Sequence, residues 1–212
     1  MITAKNALNL LRTEGLVYGV AGKGTFVAPN RRMIRTAPHR YFQRADRTYV
    51  QEAERAGAKP EAQHESGKIA ASDWVAQRLD ITPGDQVMAT NYWVYADGRP
   101  MSTSTSWEPL ALTRSTAIEH PHEGEYASSG LNARFAAIGW TVDQVEEHLV
   151  IRPPHAEERE VLSVPADVHV VEVRQTVRAV QDDTDNLVPV EAADIVFPSD
   201  RYEFRYLMDR PR

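Results

Sequence analysis

Twice along this chain the same order of signals returns: a short helical stretch carrying a leucine, a turn, a strand, an acidic turn, a proline and a second strand. The first pass is SDWVAQRLDITPGDQVMATNYWVYADGRPM and the second EEREVLSVPADVHVVEVRQTVRAVQDDTDNLVPV, with Leu162 matching Leu79 and Pro189 matching Pro100. Residues 86–95 are rich in β-branched and aromatic side chains, and Asp97-Gly98 is a hairpin dipeptide. Two antiparallel hairpins, each led by a helix, predict one mainly antiparallel sheet with helices packed on it, an α+β fold. The period is too loose for a solenoid.

The rest of the body fits around these hairpins. Thr48 and Gln51 read as a capping box opening a helix that ends at Gly57, and residues 61–69 read as extended. Ser72 reads as the cap of a helix carrying Trp74, Val75 and Leu79, stopped by Pro83-Gly84-Asp85. A helix is expected over 108–118, a His/Pro/Gly-rich loop over 119–126, and another helix capped by Ser128 or Ser129. Residues 141–152 alternate as a strand should, 157–162 read as a short helix, and 168–180 and 188–197 as strands.

The start of the chain differs in character. Ala4, Ala7, Leu8 and Leu11 form an i, i+3, i+4, i+7 stripe, the mark of a buried helix face, and Gly15 follows it. A strand over 16–20, the turn Ala21-Gly22-Lys23-Gly24 and a return strand over 25–28 come next. A helix followed by a hairpin with a basic tip is the second half of a winged helix-turn-helix, whose helix enters a major groove while the wing touches phosphate or minor groove. Residues 29–47, with proline and many arginines, read as a basic linker. Residues 1–47 hold nine Lys or Arg against Glu14 and Asp46, a charge of +7, which leaves −13 for the remainder of a chain whose net charge is −6. A basic head on an acidic body suits a DNA-binding arm joined to a body that does not bind DNA.

Several function classes drop out. There is no cysteine, hence no disulfide framework, thiol nucleophile or Cys-type zinc site. No apolar run of spanning length and no signal-peptide pattern occur, so no membrane association and a cytoplasmic location are expected. Neither a nucleophile elbow, a metalloprotease motif nor a phosphate loop is present. His120-Pro121-His122 reads as a solvated loop rather than a metal clamp, because the proline does not set both rings on one rigid face. His148 and His155 read as surface residues. Glu172, Glu191 and Asp194 are strand carboxylates that sequence does not bring together. No enzyme activity, cofactor or metal is expected.

The run A-L-x-L-L-R-x-E-G-L-V-x-(x)4-G-K-G-T-F-V, carried by Ala7, Leu8, Leu11, Glu14, Gly15, Leu16, Val17, Gly22, Gly24, Thr25, Phe26 and Val27, resembles the end of the DNA-binding domain of GntR-type bacterial repressors. Behind it, the helix ending in Gly57, the L-x-I-x-P-G turn, A-D-G-R-P-M, P-V-E and D-R-Y-E-F resemble, in this order, the UTRA effector-binding domain of the HutC subfamily. The resemblance implies a chorismate-lyase-like sheet at 48–212, a partial winged helix-turn-helix at 1–28, a homodimer, and a small-molecule effector that modulates binding to double-stranded operator DNA. It begins inside the turn before the recognition helix, so residues 1–212 alone are expected to bind DNA weakly. Thr3, Lys5, Asn6, Gly22, Lys23, Gly24 and Thr25 are the expected DNA contacts. The alternative function is a small-molecule binder or enzyme on the same sheet, without DNA binding.

The resemblance also implies a pocket formed by Tyr49, Val50, Tyr92, Val94, Ser104, Ser129, Glu191 and Phe197. In phosphosugar-binding members two arginines stand where this chain has Tyr92 and Val94, a glutamate where it has Ser104, and a tyrosine where it has Phe197. Glu191 is kept. Without a guanidinium fork a phosphate loses its best partner, and Tyr92, Trp93 or Phe197 suit a flatter, more apolar ligand, with Glu191 fixing a hydroxyl or amine.

Overall fold

The computed structural model describes the chain except residues 1, 14–15, 21–22, 28–31, 38–41, 43–46, 182–183 and 209–212. It divides into two units, residues 1–32 and 33–212. In the first, helix α1 (Ile2–Thr13) is followed by the hairpin β1 (Val17–Val20) and β2 (Gly24–Val27), in which Tyr18 pairs with Phe26 and Val20 with Gly24. Gly24 has φ 113, a conformation that side chains beyond hydrogen rarely adopt. Gly15, expected at the helix end, and Gly22 of the turn lie outside the described residues. The stripe expected to be buried is not: Ala4, Ala7 and Leu8 are exposed and Leu11 is half-buried.

The second unit opens with a correction. Residues 33–37, expected within a structureless linker, form strand β3 (Met33–Ala37), which pairs in parallel with the last strand, β10 (Tyr202–Tyr206). Alternation explains why: Met33, Arg35 and Ala37 are buried while Ile34 is exposed.

The remaining elements are α2 (Thr48–Arg55), β4 (Pro60–Ala70), α3 (Asp73–Leu79), β5 (Gln86–Ala96), β6 (Arg99–Pro109), α4 (Leu110–Thr113), α5 (Leu131–Ala136), β7 (Trp140–Arg152), α6 (Ala156–Leu162), β8 (Val170–Gln181) and β9 (Leu187–Pro198). Six strands make one antiparallel sheet in the order β4-β5-β6-β9-β8-β7. The two hairpins foreseen from the internal echo thus lie side by side, joined through their return strands β6 and β9.

The echo extends into backbone detail. Leu79 and Leu162 close their helices fully buried, and each is followed by a left-handed residue, Asp80 (φ 53) and Ser163 (φ 49). In β5–β6 the pairing jumps from Val94–Ser102 to Tyr95–Pro100, and in β8–β9 from Val177–Glu191 to Arg178–Pro189. Each bulge sits beside its proline, which cannot donate to a regular ladder. The extra residues, Met101 and Val190, are both buried.

Some caps and boundaries differ from expectation. The N-cap of α2 is Arg47 with no side-chain cap, and that of α5 is Gly130 rather than Ser128 or Ser129. Ser72 does cap α3, its Oγ accepting from the Val75 N–H at 3.3 Å. The helix expected over 108–118 is only the single turn α4, because Trp107, Glu108 and Pro109 continue β6 opposite Val87–Ala89.

The sheet separates the apolar clusters. On one face α3 seats Val75, Ala76 and Leu79 against Val87 and Ala192, and Leu162 of α6 packs with Val164, Val170 and Val196. On the other, Phe197, Tyr202, Met33, Met101 and Val173 form one cluster, and Phe135, Ile118, Trp140, Val177 and Val190 another.

Candidate functional site

A cavity of about 190 Å³ opens on the sheet face that carries these last two clusters. Its floor follows from strand period. β6 presents Ser102, Ser104, Ser106 and Glu108, β9 presents Glu191, Ala193, Ile195 and Phe197, and β5 contributes Tyr92 and Val94. β8 adds Gln175 and Val177. Because Ser104 pairs with Ile195 and Ser106 with Ala193, the floor is graded. Glu108 and Glu191 share one end, and Ser102 and Phe197 the other. Tyr49 and Glu52 of α2, the 129–132 segment and Arg134 of α5, Arg35 of β3, and Arg47 and Tyr202 stand on the wall.

Seven of the eight expected pocket residues therefore line one cavity: Tyr49, Tyr92, Val94, Ser104, Ser129, Glu191 and Phe197. Val50 does not. On a helix Tyr49 and Glu52 share a face at i, i+3, and Val50 is turned away from it. Trp93, offered as an aromatic wall, sits between Tyr92 and Val94 on the strand and so points to the opposite face of the sheet. Glu172 and Asp194 are likewise on the far side, where Glu172 binds Arg152 (2.6 Å) and Arg174 (2.8 Å), and Asp194 pairs with Arg78. The three strand carboxylates are not one constellation.

Much of the wall was not foreseen. Arg134 donates from both terminal nitrogens to Glu108, at 2.7 and 2.9 Å, and from Nη2 to the Ile118 carbonyl at 2.8 Å. Arg35 Nη2 donates to Glu147 and to Gln175 Oε1. Its guanidinium carbon lies 5.2 Å from the Phe197 ring centroid and 5.9 Å from that of Phe204. Arg47 donates to the carbonyls of Pro121 (3.0 Å) and Ala127 (2.8 Å), fastening the 119–127 loop beside the cavity.

That loop corrects another expectation. His122 is not a solvated residue: its ring stacks on His64 at 3.5 Å, and Nε2 lies 3.1 Å from the Tyr92 hydroxyl. Burial, and then the charge of Arg47, push the His122 imidazole down to about 3, while burial pushes the Tyr92 phenol up to about 12. At neutral pH the two form an uncharged contact. Among the described residues no group of three or more His, Cys, Asp or Glu is placed to hold a metal.

Glu191 is set differently. Oε2 accepts from Gln175 Nε2 at 3.3 Å, and Oε1 has no hydrogen-bond partner among the described residues. Burial, and secondly the charge of Glu108, push its carboxyl up from 4.5 to about 8, against Arg134, the Gln175 hydrogen bond and Arg78. The part of its surface that remains open faces the cavity.

Of the expected DNA contacts, Thr3, Lys5 and Asn6 are exposed on α1, Lys23 and Gly24 are exposed at the hairpin tip, and Thr25 is half-buried. Gly22 lies outside the described residues. No helix among the described residues is long and apolar enough to cross a membrane.

Comparison with known proteins adds to this geometry. Residues 56–203 match the UTRA domain family. A GntR-family transcriptional regulator of known crystal structure is 35% identical, with a TM-score of 0.72 over 98% of this chain and 82% of that one. PhnF from Mycobacterium smegmatis shares the fold at 19% identity and a TM-score of 0.70, over 99% of this chain and 85% of its own. An HTH-type transcriptional regulator of Streptomyces coelicolor is 28% identical, covering 84% of this chain and 69% of its own length.

Proposed function

Because the chain belongs to the GntR family of transcriptional regulators and carries the UTRA domain, we propose that it is a cytoplasmic, ligand-responsive repressor of the HutC subfamily. A small molecule held in the sheet cavity alters the affinity of the N-terminal unit for operator DNA. The observation that carries this is the cavity itself, which lies on the UTRA-matched sheet and is lined by convergent polar and aromatic side chains.

Two features favour a receptor over an enzyme. The histidine nearest the cavity is neutral and engaged with a protonated phenol, and Glu108 is held by Arg134. Neither arrangement supplies the nucleophile-and-base pairing that acyl transfer or hydrolysis requires. For DNA, Thr3, Lys5 and Asn6 are the base- or phosphate-facing candidates on α1, and Gly22, Lys23, Gly24 and Thr25 those of the wing.

The test uses the full-length protein. Selection from random duplexes should enrich a palindrome with half-sites about one helical turn, or a multiple of it, apart. A compound that stabilises the protein should then change affinity for that duplex by about 5- to 150-fold. No enriched duplex, or unchanged affinity at saturating ligand, would overturn the proposal.

A further inference from the structure

Resting on the proposal that this cavity holds the effector, we propose that the effector is elongated, with a protonated nitrogen seated on Glu191 and an apolar, aromatic-sized body against Ile195 and Phe197. The grading of the floor gives the shape. From Glu191 to Phe197 is six residues of strand, about 20 Å at ~3.3 Å each, and the side chains facing the cavity pass from carboxylate through Ala193 to Ile195 and Phe197. Ser102, Ser104 and Ser106 run alongside on β6 and offer hydroxyls to the flank of such a molecule.

Charge gives the polarity of the head. Each guanidinium of the wall is already engaged: Arg134 by Glu108, Arg35 by Glu147 and Arg47 by two carbonyls. Arg134 is closed by a bidentate carboxylate and Arg35 faces the Glu147 carboxylate, so an anion would find the charge of both already answered. Glu108 is answered by Arg134, but Glu191 receives only the neutral amide of Gln175, and its Oε1 has no hydrogen-bond partner among the described residues. A ligand N–H cation supplies both the missing donor and the missing charge.

The groups acting on Glu191 are Glu108 from β6, Arg134 from α5, Gln175 from β8 and Arg78 from α3, with Tyr92 of β5 also in its field. Arg35, Arg47 and Glu52 stand elsewhere on the same wall. Glu191 holds its proton up to about pH 8 in the empty cavity. A cation must therefore expel that proton on binding, and its affinity should rise with pH below 8.

Four probes separate the possibilities: 6-phenylhexylamine, 6-phenyl-1-hexanol, 6-phenylhexanoate and glucose 6-phosphate, each titrated calorimetrically into the full-length protein. 6-Phenylhexylamine should bind about tenfold more tightly than the alcohol, with the two anions weaker still. Its Kd should fall about tenfold from pH 6 to pH 7, with a proton released to buffer. In Glu191→Gln the pH dependence and the amine preference should vanish together.

If the alcohol or an anion binds as tightly as the amine, the cation proposal fails while the cavity remains a ligand site. If none of the four binds, the cavity reading fails with it. Amine binding that keeps its pH dependence in Glu191→Gln places the charge elsewhere and also overturns the proposal.

Discussion

Arg134 is the residue on which the acidic end of the cavity depends. Its side chain and that of Glu108 are 4% and 3% exposed, so the pair is out of water, and three donors are directed at two carboxylate oxygens and one carbonyl. Removing one partner of such a pair leaves a buried charge without its counterion, which costs about 3–5 kcal/mol. Arg134→Met should therefore lower the urea midpoint steeply, and adding Glu108→Leu should restore much of the loss. Equal destabilisation in the double variant would mean that packing, not charge, dominates here. None of this was legible in the sequence. Glu108 sat in a stretch that reads as a helix start, and Arg134 in a helix judged by its apolar residues alone. Serine alternation at 102, 104 and 106 was a usable signal, since period two would have carried the cavity face on to Glu108.

At the scale of elements the hairpins were legible because their turns and their β-rich strands agreed. The bulges were not, although a proline just inside a return strand is where one belongs. Their effect is local and large: at each bulge Val94 faces Ser102 and Val177 faces Glu191, and all four line the cavity. Gly98 in the β5–β6 turn and Gly67 in β4 allow a clean contrast, since an added Cβ would meet nothing within 4 Å at either. Gly98 has φ 74, so Gly98→Ala should cost about 1 kcal/mol through backbone strain alone. Gly67 lies in β4 without a positive φ, and Gly67→Ala should stabilise by roughly 0.4–1 kcal/mol by restricting the unfolded chain. For a chain of this length the melting temperatures should move in opposite directions by about 2–4 °C. A common direction would show that exposure, not φ, governs both sites.

Taken whole, the sheet leaves two long edges, β4 with 11 residues and β7 with 13, and most of both is exposed. Their charges, Glu61, Glu65 and Lys68 on one and Asp143 and Glu146 on the other, discourage indiscriminate pairing. A twofold partner is the ordinary means of covering a remaining surface of this kind. Light scattering should give twice the 23.8 kDa chain mass at micromolar concentration, and a monomer mass there would contradict the homodimer. The basic segment after the wing misled at this scale. Its arginines read as those of a basic linker, yet Arg35 and Arg47 stand on the cavity wall, which the sequence does not reveal because their partners lie more than 70 residues away.

That separation has a consequence in time. Met33 pairs with Tyr202, 169 positions later, and Tyr202 is itself part of the cavity wall. Synthesis at about 5–20 residues per second puts roughly ten to thirty seconds between the two. Throughout that interval β3 has left the ribosome without its neighbour, a buried-type strand held open in the cell. The cavity wall is therefore completed only once β10 has been made, and a chain released before that strand would leave the ribosome with its ligand chamber unclosed.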